Sequence, residues 1–432
     1  MDGGQLRVWP LNINNPKFGC QHRCGGYNIP IQIKFCGGEN MKKYLWVVSL
    51  VLVLGLLLSA CGGAAAPEQQ APVEGGGASA PAESDTEAAP ADSGEAAAPK
   101  DGLAPELSVY NWADYIDEAI LTNYEKEYGV KIVYDTFASN EDLLAKLQAG
   151  ATGYDIIVPS DYMVAQMIEL GLLAEIDLNN IPNIKNVDPR NLDAPYDPGN
   201  KHCVPYQWGT TGIAYSTEVY KDTPPDSWAY IFDPEKAKMG AEAGGINVLN
   251  DQRELLGAVL KYLGYSLNSK DEAQLQEAKE VLMAVKPYIK TFNSEDYEQS
   301  LLIPGEVVIS QSWSGNAANA AAETDGKWAY AIPKEGGMKW QDNMCVTATS
   351  QKKATAEHFM NYILEAENGA ALTNVTYYSS PNAAAKEFIK PEILNDPTIF
   401  PSDEVLNKLE WAEPLGETVF LYDQIWTEIK SQ

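Results

Sequence analysis

Tryptophan, tyrosine and carboxylate residues recur together along this chain in a pattern suited to holding an organic cation. Trp112, Asp114 and Tyr115 stand in YNWADY, Ser160 and Tyr162 in PSDY, and Asp251 and Glu254 in NDQRE. Trp313 stands in WSGN, Trp340 and Asp342 in KWQD, and Tyr378 in TYYSS. Aromatic faces cover methylene groups and attract ammonium groups through the ring quadrupole. Carboxylates make charge-assisted hydrogen bonds to the ammonium ends. Several carboxylates at different depths would measure the distance between amines. Singly, each residue has a plainer explanation. A Trp is most often core, and an acid in a first helical turn complements the helix dipole. Asp251 and Glu254 also admit the general acid and base of a carbohydrate hydrolase. However, their spacing puts them on one turn of one helix rather than on opposing walls of a cleft.

The elements that must position these residues alternate between strand and helix. A strand is predicted over Leu107–Trp112, and a helix over Glu118–Tyr128 with Gly129 as its cap. A strand over Lys131–Asp135 follows, then a helix opened by the capping-box spacing Ser139–Asp142 and stopped at Gly150. Tyr154–Pro159 reads as a buried strand, and a helix runs from Asp161 to Gly171. Further on, a helix begins near Asp251 and an amphipathic helix covers Ala273–Val285. Gly305–Ser310 is strand-like, Trp313–Ala318 turns into a helix, and Thr355–Ala371 is another helix. This alternation points to βαβ units and a parallel sheet. In such folds ligands sit outside the carboxyl ends of the strands, which is where the aromatic residues fall.

The ordered series YNWADY, YDIIVPSDYMV, VPYQWGTTGIAY, LNDQRELL, WSGNAA, PKEGGMKWQDN, YSSPNAAA and EW resembles the spermidine/putrescine-binding proteins of bacterial ABC importers. The resemblance runs from about Leu107 to the C-terminus. It implies an α/β, type II periplasmic-binding-protein fold: two lobes with a hinged ligand cleft over residues 105–432. Lobe 1 would hold about 105–214 and 340–390, and lobe 2 about 215–339 and 391–432. It implies ligand contacts from Trp112, Asp114, Tyr115, Ser160, Tyr162, Asp251, Glu254, Trp313, Trp340, Asp342 and Tyr378. The two tryptophans Trp313 and Trp340 would sandwich the methylenes, and Asp342 would cap an amine. The partners implied are a polyamine and an ABC transporter membrane permease, with no catalytic residue and a monomeric chain. Two departures remove polar groups: Ala113 where spermidine binders carry Thr, and Ala412 where they carry Gln. Asn316 stands where putrescine-specific relatives carry Asp. Against the two losses, Asp251 and Trp340 follow the spermidine type, which with Asn316 leans the expectation to spermidine, with putrescine second.

The first hundred residues read as address and tether. Met41-Lys42-Lys43 and the apolar run Leu45–Leu58 form a signal-peptide pattern. Leu58-Ser59-Ala60-Cys61 resembles a lipobox, which implies that Cys61 carries a lipid anchor and that the chain is held outside the cytoplasm. Because a signal peptide should begin a chain, residues 1–40 are read as an upstream extension arising from a mis-assigned start. After the signal peptide (41–60), residues 61–104 are rich in Ala, Pro, Glu and Gly and cannot bury enough surface to offset ordering, so they read as a flexible tether.

Composition closes off other classes. A formal charge of -29 over 432 residues excludes a nucleic-acid surface. There are three histidines and no CxxC pair, so no metal site or cofactor is expected. No GxxxxGK[ST] occurs, so the chain is not the transport ATPase. An iron receptor would need clustered tyrosines, an anion receptor basic residues in the cleft. A sensor that signals without import stays open. Cys203 and Cys345 either pair outside the cell or remain two buried thiols.

Overall fold

The computed structural model describes residues 99–431 apart from Asp101. The expected upstream extension, signal peptide, Cys61 and most of the tether lie outside the described residues. The folded body starts slightly before the expected boundary. Lys100 N–H bonds to the carbonyl of Tyr128 and Ala104 N–H to Thr355 Oγ1.

Among the described residues ten strands form one sheet, eight of them along a single path. β1 (Glu106–Trp112) pairs in parallel with β2 (Lys131–Phe137) and with β3 (Ile156–Ile157). β4 (Cys203–Ser216) is the strand on which both halves depend. Cys203–Thr210 pair antiparallel with β9 (Met338–Val346), which itself borders β3. Thr211–Ser216 pair instead with β7 (Ile309–Trp313) and β8 (Trp328–Ala331). β7 continues to β5 (Ile246–Val248), which pairs with β6 (Ile289–Phe292). The short β10 (Glu410–Trp411) joins the other edge of β9.

Helices cover both halves: α1 (Glu118–Tyr128), α2 (Asn140–Gln148) and α3 (Asp161–Glu169) in the first, α4 (Pro234–Ala243), α5 (Gln252–Tyr262), α6 (Glu272–Val285) and α7 (Ser314–Glu323) in the second. α8 (Lys353–Ile363) and α9 (Ala366–Thr376) follow, and α10 (Val419–Ser431) ends the described chain. Each half has its own core. Leu107, Ile156, Val204, Met344 and Phe359 belong to the first. Ile213, Ile246, Leu255, Leu282 and Tyr422 belong to the second. The chain passes between the cores within β4, again at the start of β9, and once more between Ala412 of the first core and Leu415 of the second.

Several expected elements are redrawn by tertiary contacts. The strand over Tyr154–Pro159 is only two residues long. The strand expected over Gly305–Ser310 begins at Ile309, because Gly305 and Glu306 N–H close a turn onto Leu302 and Leu301. The helix expected over Thr355–Ala371 breaks into α8 and α9. Side-chain amides of Asn186 and Asn382 take the carbonyl of Leu364, each at 2.9 Å. Ile389, Ile393 and Ile399 do not join the second core; they pack with Ala318, Ala370 and Ala385. In this closing stretch Leu415 is the first buried residue of the second core.

Cys203 and Cys345 face one another in the β4–β9 register and form a disulfide across a sequence separation of 142. Cross-linking so long a loop restricts the unfolded chain. Replacing both cysteines with serine is expected to lower the unfolding free energy by about 2–4 kcal/mol, read as a lower urea midpoint. An unchanged midpoint would show that the link adds nothing to the fold.

Candidate functional site

The eleven residues singled out in the sequence line one cavity between the two halves of the sheet, together with Ala113, Asn140, Ser294, Glu295, Asn316 and Met338. Trp112 ends β1, Asp114 and Tyr115 follow it, and Ser160 and Tyr162 open α3. Asp251 caps α5 and Glu254 lies in its first turn. Trp313 ends β7. The expectation of loops fails for one group: Trp340 and Asp342 lie within β9, on a crossing strand. Tyr378 follows α9, whose last cap Tyr377 has φ +59°. Asp114, at φ +51°, turns the chain sharply after β1. Ala412 is buried and does not line this cavity, so only Ala113 removes a polar group from it.

The rings are held by close packing. Trp340 packs edge-on to Tyr378 at 5.3 Å, and Tyr378 to Tyr115 at 5.1 Å. Trp313 meets Trp112 at 5.9 Å. Two glycines make these approaches possible. A Cβ at Gly209 would stand 2.7 Å from the Trp340 ring, and one at Gly315 would stand 2.6 Å from the Tyr378 ring. Real Cβ atoms do not approach rings that closely, so only glycine lets β4 and α7 sit behind these aromatics.

The acids are held as firmly. Ser160 Oγ donates to Asp342 Oδ1 at 2.6 Å. The hydroxyl is aimed by Asn140, whose Nδ2 donates to it while its Oδ1 accepts from Ser160 N–H. Asp251 accepts from the N–H of Glu254 at 3.0 Å. Glu254 Oε1 accepts from Trp313 Nε1 at 2.9 Å and Thr211 Oγ1 at 3.0 Å. Its other oxygen is buried without a partner, as is Ser294 Oγ. Tyr162 donates to Glu141 at 3.1 Å, and the Arg253 guanidinium stacks over its ring.

Among the described residues Arg253 is the one basic side chain that is buried, whereas Asp161, Asp251, Glu254, Glu298 and Asp342 are all buried around this cavity. Burial pushes the Asp342 carboxyl up to about 7, against the donation from Ser160 that lowers it. Burial, with Asp251 as a neighbouring like charge, pushes Glu254 up to about 8. Asp251 is raised by burial as well. A ligand with several positive charges would supply the missing countercharge, and the rings would cover the carbon chain between those charges. Asp251 and Glu254 lie on one wall, so no opposed acid–base pair for glycoside hydrolysis is formed there. Sequence reasoning missed Asn140, Ser294, Glu295 and Met338. Asn140 sits directly after the cap Ser139, and only its contact with Ser160 gives it a role.

The family described as bacterial extracellular solute-binding protein matches residues 119–401. The chain is similar to the putrescine-binding periplasmic protein SpuD of Pseudomonas aeruginosa, at 36% identity over 75% of this chain and 92% of that one. It is similar to the spermidine/putrescine-binding periplasmic protein of Escherichia coli, at 32% identity over 75% and 91%. The solved structure of the spermidine/putrescine ABC transporter substrate-binding protein PotD of Streptococcus pneumoniae aligns with a TM-score of 0.63 at 34% identity, covering 76% of this chain and 99% of that one.

Carboxyl groups raised above their ordinary range, near 4, make protonation favour the folded, ligand-free protein. That contribution is fully present below about pH 4 and is lost as pH rises through 7 and 8. Glu254→Gln keeps the acceptor for Trp313 and Thr211 but removes the charge. It is expected to raise the Tm of ligand-free protein by about 2 °C or more at pH 8.5, with a smaller rise at pH 6. A lower Tm at both values would mean that the carboxylate serves the fold instead.

Proposed function

The chain belongs to the bacterial extracellular solute-binding proteins, and from that premise we propose that it captures a polyamine outside the cell and presents it to the membrane permease of an ABC importer. Members of this family bind solutes and are not enzymes. The observation that carries the reading is the cavity itself. Aromatic rings face carboxylates that are buried with a single buried arginine for countercharge. The similar proteins whose names include spermidine or putrescine support the same ligand class.

Each half contributes part of the site. Asp342, Ser160, Tyr115 and Tyr378 gather at one end, and Asp251 and Glu254 extend from α5 on the other wall. A ligand able to touch both walls does so only when they are close together, so binding favours the closed arrangement. Without a cation, closure brings like charges together in a medium poor in water, which opposes it. Polyamine binding would remove that opposition, and the closed form would be the one that docks on the permease.

Spermidine is the proposed first ligand and putrescine the second. Asn316 rather than a carboxylate beside Tyr378 supports this order, since a short diamine would find one strong acceptor fewer. The chain is proposed to act as a monomer carrying a lipid on Cys61, released from a signal peptide over residues 41–60 and tethered by the Ala/Pro/Glu-rich stretch that follows.

In calorimetric titration the protein is expected to bind one spermidine, bind putrescine more weakly, and ignore a neutral sugar. Asp342→Asn and Trp340→Ala should each weaken polyamine binding about tenfold or more. Folded protein that takes up neither polyamine would overturn the reading, and tighter binding of putrescine would reverse the rank alone. For the anchor, cells fed a labelled fatty acid should mark the wild-type chain and not Cys61→Ser; equal labelling would remove the lipid from the account.

A further inference from the structure

Glu298 is buried beside the cavity but does not line it. It opens the short π-helical turn Glu298–Leu302, and its carboxylate gathers three side-chain amides. Asn316 Nδ2 donates to Oε2 at 2.8 Å and Gln299 Nε2 to Oε1 at 3.2 Å, with Asn319 Nδ2 also donating to Oε1. Asn316 and Asn319 are three residues apart on α7, so they share a face of that helix. One carboxylate therefore holds both. On its other side Asn316 Oδ1 accepts from the Tyr378 hydroxyl at 2.5 Å. Asn316 and Tyr378 both line the cavity.

An amide can turn either of two edges to its surroundings, a donor or an acceptor. A carboxylate only accepts. Glu298 therefore requires the NH2 edge of Asn316, and the carbonyl edge is left for Tyr378 and the cavity. Tyr378 spends its single hydrogen on that carbonyl, so its own oxygen shows lone pairs alone. The reversed amide would leave a buried Glu298 oxygen without its donor and would aim N–H groups at an arriving cation, both unfavourable.

We propose that Glu298 is a positioning residue: it fixes Asn316 with its carbonyl oxygen toward the cavity, so that this end of the site offers only acceptors to an ammonium group. The proposal rests on the polyamine reading given above and deepens it. Asn316 stands in for a carboxylate at the cavity wall, and the negative charge lies one residue behind it. An amine at this end meets a neutral oxygen backed by a buried charge, and the Tyr378 hydroxyl couples that oxygen to the ring cluster of Tyr115 and Trp340.

The test is a double-mutant cycle read by spermidine titration of the full chain. Glu298→Gln offers one acceptor to two asparagines and introduces a competing donor. It should weaken binding about tenfold with Asn316 present. In an Asn316→Ala background the same change should cost no more than about twofold, because the residue it acts through is gone. Glu298→Asp keeps an acid and should recover most of the affinity, which also covers the case in which the Gln variant folds poorly. Equal losses in both backgrounds, or no loss in either, would overturn the positioning role. If wild type binds spermidine while the cycle shows no coupling, only this inference fails; if wild type binds no polyamine, the function proposed for the cavity fails with it.

Discussion

Carboxylates taken out of water without matching countercharge dominate this molecule. Desolvation is costly for each charged group unless a partner compensates. Elsewhere in the chain the compensation is local: Lys352 meets Asp155, and Lys353 meets Glu357. Around the cavity Arg253 alone stands among the buried residues for that purpose, and its guanidinium is engaged with Tyr162, Asn268 and the carbonyl of Glu413. A fold optimised only for stability would replace Glu254 or Asp342 with neutral side chains. Their retention fits a protein whose cation arrives from outside.

The architecture serves that constraint by splitting the acids between two halves joined through shared strands. β4 belongs to the first half up to Thr210 and to the second from Thr211. Thr211 itself accepts from Trp340 and donates to Glu254, so the crossing point touches both a ring and an acid of the site. Trp340 and Asp342 also ride on a crossing strand. Any movement of one half relative to the other would therefore pivot on residues next to the cavity.

Much of this was legible because the relevant signals are local. Gly129 ends α1 in the left-handed region, as its place after Tyr128 suggests. Asp251 caps α5 as its spacing from Glu254 suggests. Apart from Trp340 and Asp342, which lie within β9, the motif residues gather in one cavity because their positions at element ends follow from the strand–helix alternation. What was not legible depends on distant partners. The Ser160–Asp342 bond joins residues 182 apart. The break between α8 and α9 comes from amides of Asn186 and Asn382. Ala412 looked like a departure within the site and instead packs into the first core. Glu298 carries no motif at all; its role exists only because the turn it opens lies against α7.

The most direct measurement is a crystal structure of the protein grown with spermidine. The account predicts a ligand in the cavity with amine nitrogens about 2.8 Å from a carboxylate oxygen of Asp342 and from the unpartnered oxygen of Glu254, and with its methylenes between Trp313 and Trp340. Spermidine bound elsewhere, or bound here with its amines turned away from both acids, would contradict it.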